Sequence, residues 1–434
     1  MKTPKVPQEI LEAAQKLKLS GYSLYIAWGW CRDFFCGKKE SDIDLFTDAT
    51  PEQIEPLLKV VWEVWKKYGT SIVKLWNTPY ELTTFRRDIG SINFRKPAEV
   101  VFTKNLEEDA QRRDFTCNAI YYDILQESFI DPMGGIQDIK NKEIHFVGNA
   151  NARLQEDVLR LLRYVRIKHM YSFRDGQKET FGVLKKHIQT LENLSVERVQ
   201  QEFEKILCLD TNTHALQELK DLGFFASFFP EVEKIEQTPG GAPRHLEGNV
   251  WIHTLMTIQE MNLITTKKER VDLVWAMLLH DVGKADCLSF DENGRVHYYG
   301  HEQVSAQHFI NIANRWKFSN AARKKIHYLI DNHLRVGMSL KMHPAKRHTF
   351  MMHEYFSELL LVYEADKKWR LPVITEWVEK TKTYHKKFLA EVWNIHFFTG
   401  NDVMKKHPEV TGKKIGEVLH MWNEQLLSEI HIDV

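Results

Sequence analysis

Apolar positions fall into two regimes along this chain. In the first third they come in short β-type runs, at residues 24–27, 43–46, 81–85, 99–102 and 120–124. Polar and helical stretches separate these runs. The N-terminal MKTPKVPQEILEAAQKLK reads as a polar, amphipathic helix start. Thr50-Pro51-Glu52 opens a predicted helix through residue 68, with Thr50 as cap and Pro51 in the first turn. From about Asn151 the pattern turns helical and stays so to the end. Thr238-Pro239-Gly240-Gly241-Ala242-Pro243 marks a boundary or a functional loop. No low-complexity tract or clear internal repeat interrupts this order. The expected class is α+β: a head with a small mixed or antiparallel β-sheet, then an all-α remainder.

Composition narrows the picture a little. With 434 residues, 43% hydrophobic and 27% charged, the chain is long enough for two to four domains with real cores. Its formal net charge is zero, so any nucleic-acid surface is a local basic groove. Candidate patches are residues 341–347, Arg323-Lys324-Lys325 and Lys386-Lys387, each of which also reads as ordinary solvated lysine and arginine. The five cysteines (Cys31, Cys36, Cys117, Cys208, Cys287) form no C-x-x-C pair, which predicts reduced thiols and a cytoplasmic protein. The N-terminus lacks a signal peptide's apolar core, and no apolar run is long enough to span a membrane.

The chemistry concentrates near Gly29-Trp30-Cys31-Arg32-Asp33 and the following Asp42-Ile43-Asp44-Leu45. A strand through the second segment points Asp42 and Asp44 to one face and Ile43 to the other. Two such carboxylates can hold divalent ions that bridge a triphosphate and activate an attacking hydroxyl. The turn and Arg32 upstream can hold the phosphates. Glu81, in the β-type run Tyr80-Glu81-Leu82-Thr83, can supply a third carboxylate, and an exposed strand acid fits its spacing equally well.

With these residues in view, the chain resembles the class II tRNA nucleotidyltransferases, or CCA-adding enzymes, and the related bacterial poly(A) polymerases. Their G-G-x-V-R-D motif followed by D-x-D is matched by Trp28-Gly29-Trp30-Cys31-Arg32-Asp33 and Asp42/Asp44. Arg112-Arg113-Asp114-Phe115-Thr116-Cys117-Asn118-Ala119 matches the next motif. Asp131-Pro132-Met133-Gly134-Gly135, Glu156-Asp157-Val158-Leu159-Arg160-Leu161-Leu162-Arg163, Glu197-Arg198 and Thr399-Gly400-Asn401-Asp402 come after it in family order. The resemblance implies a nucleotide site containing Gly29, Arg32, Asp33, Arg112, Arg113 and Asp114, with Mg²⁺ on Asp42 and Asp44. Asn118 holds the local turn in this reading, and residues 86–109 resemble the family's flexible loop. One departure stands out. Trp28 occupies the position of the first glycine, whose lack of a side chain lets backbone approach phosphate.

Asp157 and Arg160 are three residues apart and are expected on one helix face, with Arg163 and Arg166 continuing it. Spacing alone fits a salt-bridge ladder. The resemblance instead makes the Asp157/Arg160 pair an amino-acid template for the incoming base. A carboxylate accepts from the exocyclic amine of C or A, a guanidinium donates to the adjacent ring nitrogen, and G and U offer the opposite pattern.

A second constellation is His253, His280-Asp281, His301, His333 and Asp366. It resembles the HD superfamily of metal-dependent phosphohydrolases, through Leu279-His280-Asp281-Val282-Gly283-Lys284 above all. Four imidazoles and two carboxylates can hold one or two transition-metal ions, whereas His297, His308, His327 and His343 read as structural or solvent-facing.

The domain order expected from these motifs is a nucleotidyltransferase head (1–147), a helical neck with the base-reading helix (148–240), an HD-type region (241–370) and a helical tail (371–434). The resemblance implies addition of CCA to tRNA 3′ ends from CTP and ATP, with a phosphohydrolase action on tRNA ends at the HD site. The alternatives are an A-adding, CC-adding or poly(A)-adding relative, or an HD phosphohydrolase whose head only binds tRNA.

Overall fold

The structure, a computed structural model, describes residues 4–38, 42–65, 68–90, 97–240, 248–368, 375–393, 395, 397–430 and 432. The chain divides into two compact units, Met1–Ser227 and Phe228–Val434. The expected segments around Arg95-Lys96 and Gly241-Ala242-Pro243 lie outside the described residues.

The first unit is built on a seven-stranded mixed sheet. Its strands are β1 (Leu24–Ala27), β2 (Asp44–Thr47), β3 (Val60–Trp65), β4 (Thr70–Leu75), β5 (Thr78–Thr84), β8 (Tyr121–Asp123) and β9 (Ser128–Ile130), in the spatial order β3-β4-β5-β2-β1-β8-β9. A further pair, β6 (Arg86–Ile89) and β7 (Glu99–Phe102), forms a separate antiparallel ribbon. The described part of the 86–109 segment therefore contains this strand pair and ends in helix α4 (Leu106–Gln111) rather than being a plain loop. β2 and β5 run parallel, and the other paired strands of the large sheet run antiparallel.

The sheet packs helices by apolar spacing. In α1 (Gln8–Leu19) the buried positions Ile10, Ala13, Ala14 and Leu17 recur at three- and four-residue steps. Helix α2 (Gly29–Phe35) follows β1 directly. Phe46, Phe85 and Tyr121 meet Ala27, Ala110 and Val147 in a buried cluster, and each fully buried aromatic of this size contributes roughly 2–3 kcal/mol.

The helix expected over 50–68 is corrected. Thr50 does cap α3 (Pro51–Ile54), and Gln53 accepts the Thr50 N–H in a capping box. The helix ends there, because the β-branched and aromatic run Val60-Val61-Trp62 goes into β3 on the sheet edge. A second correction concerns the base-reading segment. Asp157 is extended (φ −148°, ψ 102°) and separates α6 (Ala150–Glu156) from α7 (Arg160–Tyr171). Its carboxylate accepts the Leu159 N–H at 3.1 Å, so it behaves as a cap instead of a helix-face residue.

Helix α5 (Gly135–Asn141) shows why the Asp131-Pro132-Met133-Gly134-Gly135 run has its form. The Asp131 carboxylate accepts the N–H groups of Gly135 and Ile136 at 2.8 and 2.9 Å. A Cβ on Gly135 would lie 2.1 Å from the Thr116 carbonyl oxygen, so only glycine lets α5 close on the Thr116–Asn118 turn.

The second unit is mainly helical, with helices at Val250–Ile264, Arg270–Leu279, His301–Arg315, Asn320–Asn332, Phe356–Lys368 and Thr375–Val392. Gly283 is the tight point of its sequence motif. A Cβ there would lie 2.4 Å from the His301 carbonyl oxygen, and the Gly283 N–H donates to Ser305 Oγ at 2.9 Å. Thr399-Gly400-Asn401-Asp402 is a capping box, with Asp402 accepting the Thr399 N–H at 2.7 Å. No described helix is long and apolar enough to cross a membrane.

Candidate active site

The sheet brings the candidate carboxylates together by register. Asp44, the first residue of β2, pairs with Ala27 on one side and with Glu81 on the other. Asp44 and Glu81 line one cavity of about 260 Å³, with Trp28, Phe46, Arg86 and Arg112 in its wall. Asp42 lies just before β2 and is exposed, so only Asp44 of the pair is held by the strand. Burial, reinforced by the charges of Glu81 and Asp42, pushes the Asp44 carboxyl up to about 6. Burial also raises the Glu81 carboxyl. Hard carboxylate oxygens that resist ionising beside one another fit a divalent cation, which removes their mutual repulsion.

The turn before Asp44 keeps a glycine-like backbone although it carries a tryptophan. Trp28 sits at φ 66°, ψ −128°, a region that costs a bulky residue about 1–3 kcal/mol. Gly29 opens α2 behind it.

Arg32 and Asp33 are buried and line neither cavity of the site. The Arg32 guanidinium donates to Asp33 Oδ1 and, at 2.6 Å, to Asn118 Oδ1, and lies 4.8 Å from the Tyr171 ring. Asn118 Nδ2 donates to Asp114 Oδ1, and Asp114 Oδ2 ion-pairs with Arg163 at 2.7 Å. Arg32 thus reaches the pocket through an Arg32–Asn118–Asp114–Arg163 chain, not by lining it. Burial raises the Asp114 carboxyl, but Arg163 and the Asn118 hydrogen bond outweigh it and hold the group ionised below its ordinary range.

Asp109 is a hub that the motifs do not include. Its carboxylate accepts from Arg112 Nε at 2.8 Å, Arg113 Nη2 at 2.6 Å and the Tyr121 hydroxyl at 2.7 Å. The signal for it lies in the i,i+3 and i,i+4 spacing of Asp109 to Arg112 and Arg113. Arg113 is wholly buried, 4.3 Å from the Phe46 ring centre, while Arg112 lines both cavities.

The larger cavity, about 420 Å³, adjoins the first and is lined by Asp157, Arg160, Arg163, Arg112, Arg113 and Asp114 among others. Asp157 and Arg160 thus meet at the pocket although they do not share a helix face. Arg160 is tied to Glu156 Oε2 at 2.7 Å and to the Arg153 and Arg112 carbonyls, while Asp157 has Arg198 at 3.8 Å. Burial raises the Asp157 carboxyl against the pull of Arg198 and Arg160. Arg166 lies outside the lining and pairs with Glu202 at 3.0 Å.

The second unit assembles the histidine constellation. Each of His280, His301 and His333 places Nδ1 2.7 Å from a backbone carbonyl, of Met277, Tyr298 and Ile330 respectively. A proton on Nδ1 leaves the Nε2 lone pair free to bind a metal. Those Nε2 atoms converge on Asp281 at 3.2, 3.1 and 3.8 Å. His253 Nε2 lies 3.7 Å from Asp281 and 3.1 Å from Asp366. Lys284, which carries no expected role in the sequence motif, stands 2.6 Å from Asp281. Burial and the neighbouring His280 and His301 keep His333 neutral. Burial raises Asp281, but His280 and Lys284 hold it well below the usual carboxylate range. Imidazole nitrogens around a buried carboxylate are a fitting donor set for a transition-metal ion.

Comparison with known proteins agrees with the head. Residues 24–145 match the poly(A) polymerase head domain, and residues 177–236 match the probable RNA and SrmB-binding site of polymerase A. The CCA-adding enzyme of Staphylococcus haemolyticus is 34% identical over 250 residues, 57% of this chain and 61% of that protein. That of Enterococcus faecalis is 29% identical over 429 residues, 96% of this chain and 92% of that protein. Matches to other curated relatives, such as those of Bacillus pumilus and Geobacillus kaustophilus, span 46% and 54% of their lengths. The fold is similar to Bacillus stearothermophilus CCA-adding enzyme in complex with CTP (TM-score 0.70, 24% identity, 96% of this chain and 91% of that one). It is also similar to Thermotoga maritima CCA-adding enzyme complexed with tRNA (TM-score 0.61, 18% identity, 99% and 94%). With the motifs in order and the carboxylates in register, the chain is similar along its length to the CCA-adding enzymes, and over residues 24–145 to the poly(A) polymerase head domain.

Proposed function

We propose that this protein adds C, C and A to the 3′ end of tRNA from CTP and ATP without a nucleic-acid template. The observation that carries the reading is the Asp44–Glu81 register pair in a cavity that adjoins the Asp157/Arg160 pocket. Family members use divalent metal ions, and here Asp42, Asp44 and Glu81 would hold them, Mg²⁺ in our reading. Bound there, such ions would neutralise the triphosphate and lower the pKa of the tRNA hydroxyl. The chain's own residues do the rest. Asp157 accepts from the exocyclic amine of C or A, and Arg160 donates to the neighbouring ring nitrogen. Arg112 and Arg113 stand between base and phosphates, while Arg32, Asp33 and Asp114 keep Arg163 in place. Gly29 anchors the turn, and Arg166 braces α7 against Glu202. tRNA recognition is by shape and backbone.

The test is incorporation from single nucleotides and from CTP plus ATP onto tRNA transcripts ending before CCA, after C and after CC. Stepwise addition that stops at CCA supports the reading. A-only, CC-only or long A tails move the protein to a specialised relative, and no transfer overturns it.

A second activity is favoured by the three histidines whose Nδ1 atoms face carbonyls around Asp281. In this reading His253, His280, Asp281, His301, His333 and Asp366 would hold a transition-metal ion, which would supply an activated water against phosphate esters at tRNA ends. The division into head, neck, HD region and tail is part of the same proposal.

A further inference from the structure

Trp28 stands where the motif of the phosphate-side turn has its first glycine, and its surroundings give it a task. It is half-buried and lines both cavities of the first unit. The larger cavity holds Asp157 and Arg160, and the smaller holds Asp44 and Glu81. A nucleotide whose base is read in the first and whose triphosphate reaches the second must cross their junction with its sugar. Only Trp28, Arg86 and Arg112 line both cavities among the described residues.

The indole is held firmly there. It stacks on Phe46 at 6.5 Å with 15° between planes. Arg113 and Arg163 place their guanidinium carbons 5.1 and 5.2 Å from its ring. Its Nε1–H is buried and has no hydrogen-bond partner among the described residues. The backbone meanwhile keeps φ 66°, which glycine would adopt without strain. A strained tryptophan clasped by two arginines where the two cavities join is a built surface, not a gap filler.

We propose that Trp28 is a nucleotide-positioning residue, whose indole packs against the nucleotide's sugar at the junction and, through its ring, keeps Arg163 directed at the base pocket. The proposal rests on the nucleotide-transfer reading given above.

Two measurements test it on the full chain. With 5-fluorotryptophan incorporated and the Trp28 ¹⁹F resonance assigned by Trp28→Phe, CTP without tRNA is expected to shift that resonance. In steady-state assays Trp28→Gly is expected to raise KM for CTP and ATP roughly tenfold while kcat changes by less than about threefold. Trp28→Phe, which keeps a ring, is expected to stay near the unmodified protein. Trp28→Gly relieves the turn's backbone but gives up the contacts to Phe46, Arg113 and Arg163, so KM is read at a temperature where melting curves show the variant folded, and the ¹⁹F measurement keeps the tryptophan in place. A resonance unmoved at saturating CTP, or an unchanged KM in Trp28→Gly, overturns the proposal. A shifted resonance in a protein that transfers no nucleotide would leave Trp28 standing and sink only the transfer reading.

Discussion

Asp44 and Glu81 face each other across the parallel pair of β2 and β5, although 36 residues of chain, the hairpin β3–β4 included, lie between them. One slip of register would turn one carboxylate away from the cavity. The pair is therefore a product of the sheet, and its chemistry can be tested directly.

Removing Asp44 should separate chemistry from binding. Asp44→Ala is expected to lower kcat for nucleotide addition on the order of 10³-fold or more, because a cation site is lost where charge develops. CTP affinity should change by less than about tenfold, since base reading sits in the adjoining cavity. Calorimetric titration beside single-turnover rates checks both.

Base choice should depend on Asp157. Its carboxylate is half-buried at the pocket and has Arg198 at 3.8 Å. Asp157→Ala is expected to cut the preference for C and A over U and G on the order of 10²-fold in kcat/KM. Competition assays with all four nucleotides read this out. An unchanged preference would remove Asp157 from the template.

Stability should depend on Asp109 and on pH. Its carboxylate is fully buried among Arg112, Arg113 and Tyr121. Burial works to raise its pKa, but Arg113 and Arg112 outweigh it and hold it depressed. A depressed acid stabilises the fold above its unfolded pKa of about 4 and loses that contribution as pH falls below it. Asp109→Asn is expected to cost about 3–5 kcal/mol at pH 7, because it leaves buried guanidinium groups without their anion. The gap to the unmodified protein should narrow on acidification, as urea unfolding at neutral pH and near pH 3 would show.

Metal should remain with the second unit. Full-length protein is expected to retain a transition metal through purification, and Asp281→Asn or His333→Gln to lower its affinity by roughly 10²-fold or more. Metal analysis checks the content. Hydrolysis of a 2′,3′-cyclic phosphate should track it, and hydrolysis by metal-free protein would contradict the assignment.

Much of the site is legible in the sequence because its motifs are local. The Arg112-Arg113-Asp114 run, Asp42/Asp44 and the His280-Asp281 pair are close in sequence and carry their chemistry openly. The strand expectations at 24–27 and 99–102 coincide with β1 and β7. The helix expected over 50–68 fails because Thr50-Pro51 announces only a helix start, and the edge of the sheet claims the residues from Val60 onward. Asp157 departs from its expected place for a related reason. Three-residue spacing implies a shared face only if the helix continues, and here the side chain caps the next helix instead. Asp109 and the indirect role of Arg32 depend on contacts between distant segments, such as Arg32 with Asn118, which no local pattern encodes. Trp28 is visible as a departure from a motif, but its clasp by Arg113 and Arg163 is not.

The most direct measurement is 3′-end sequencing of a tRNA transcript lacking CCA, after incubation with this protein, CTP, ATP and Mg²⁺. CCA addition at the Asp44–Glu81 site predicts three added residues, C, C and A, then a stop, and no addition by Asp44→Ala. An unextended transcript with the unmodified protein would contradict it.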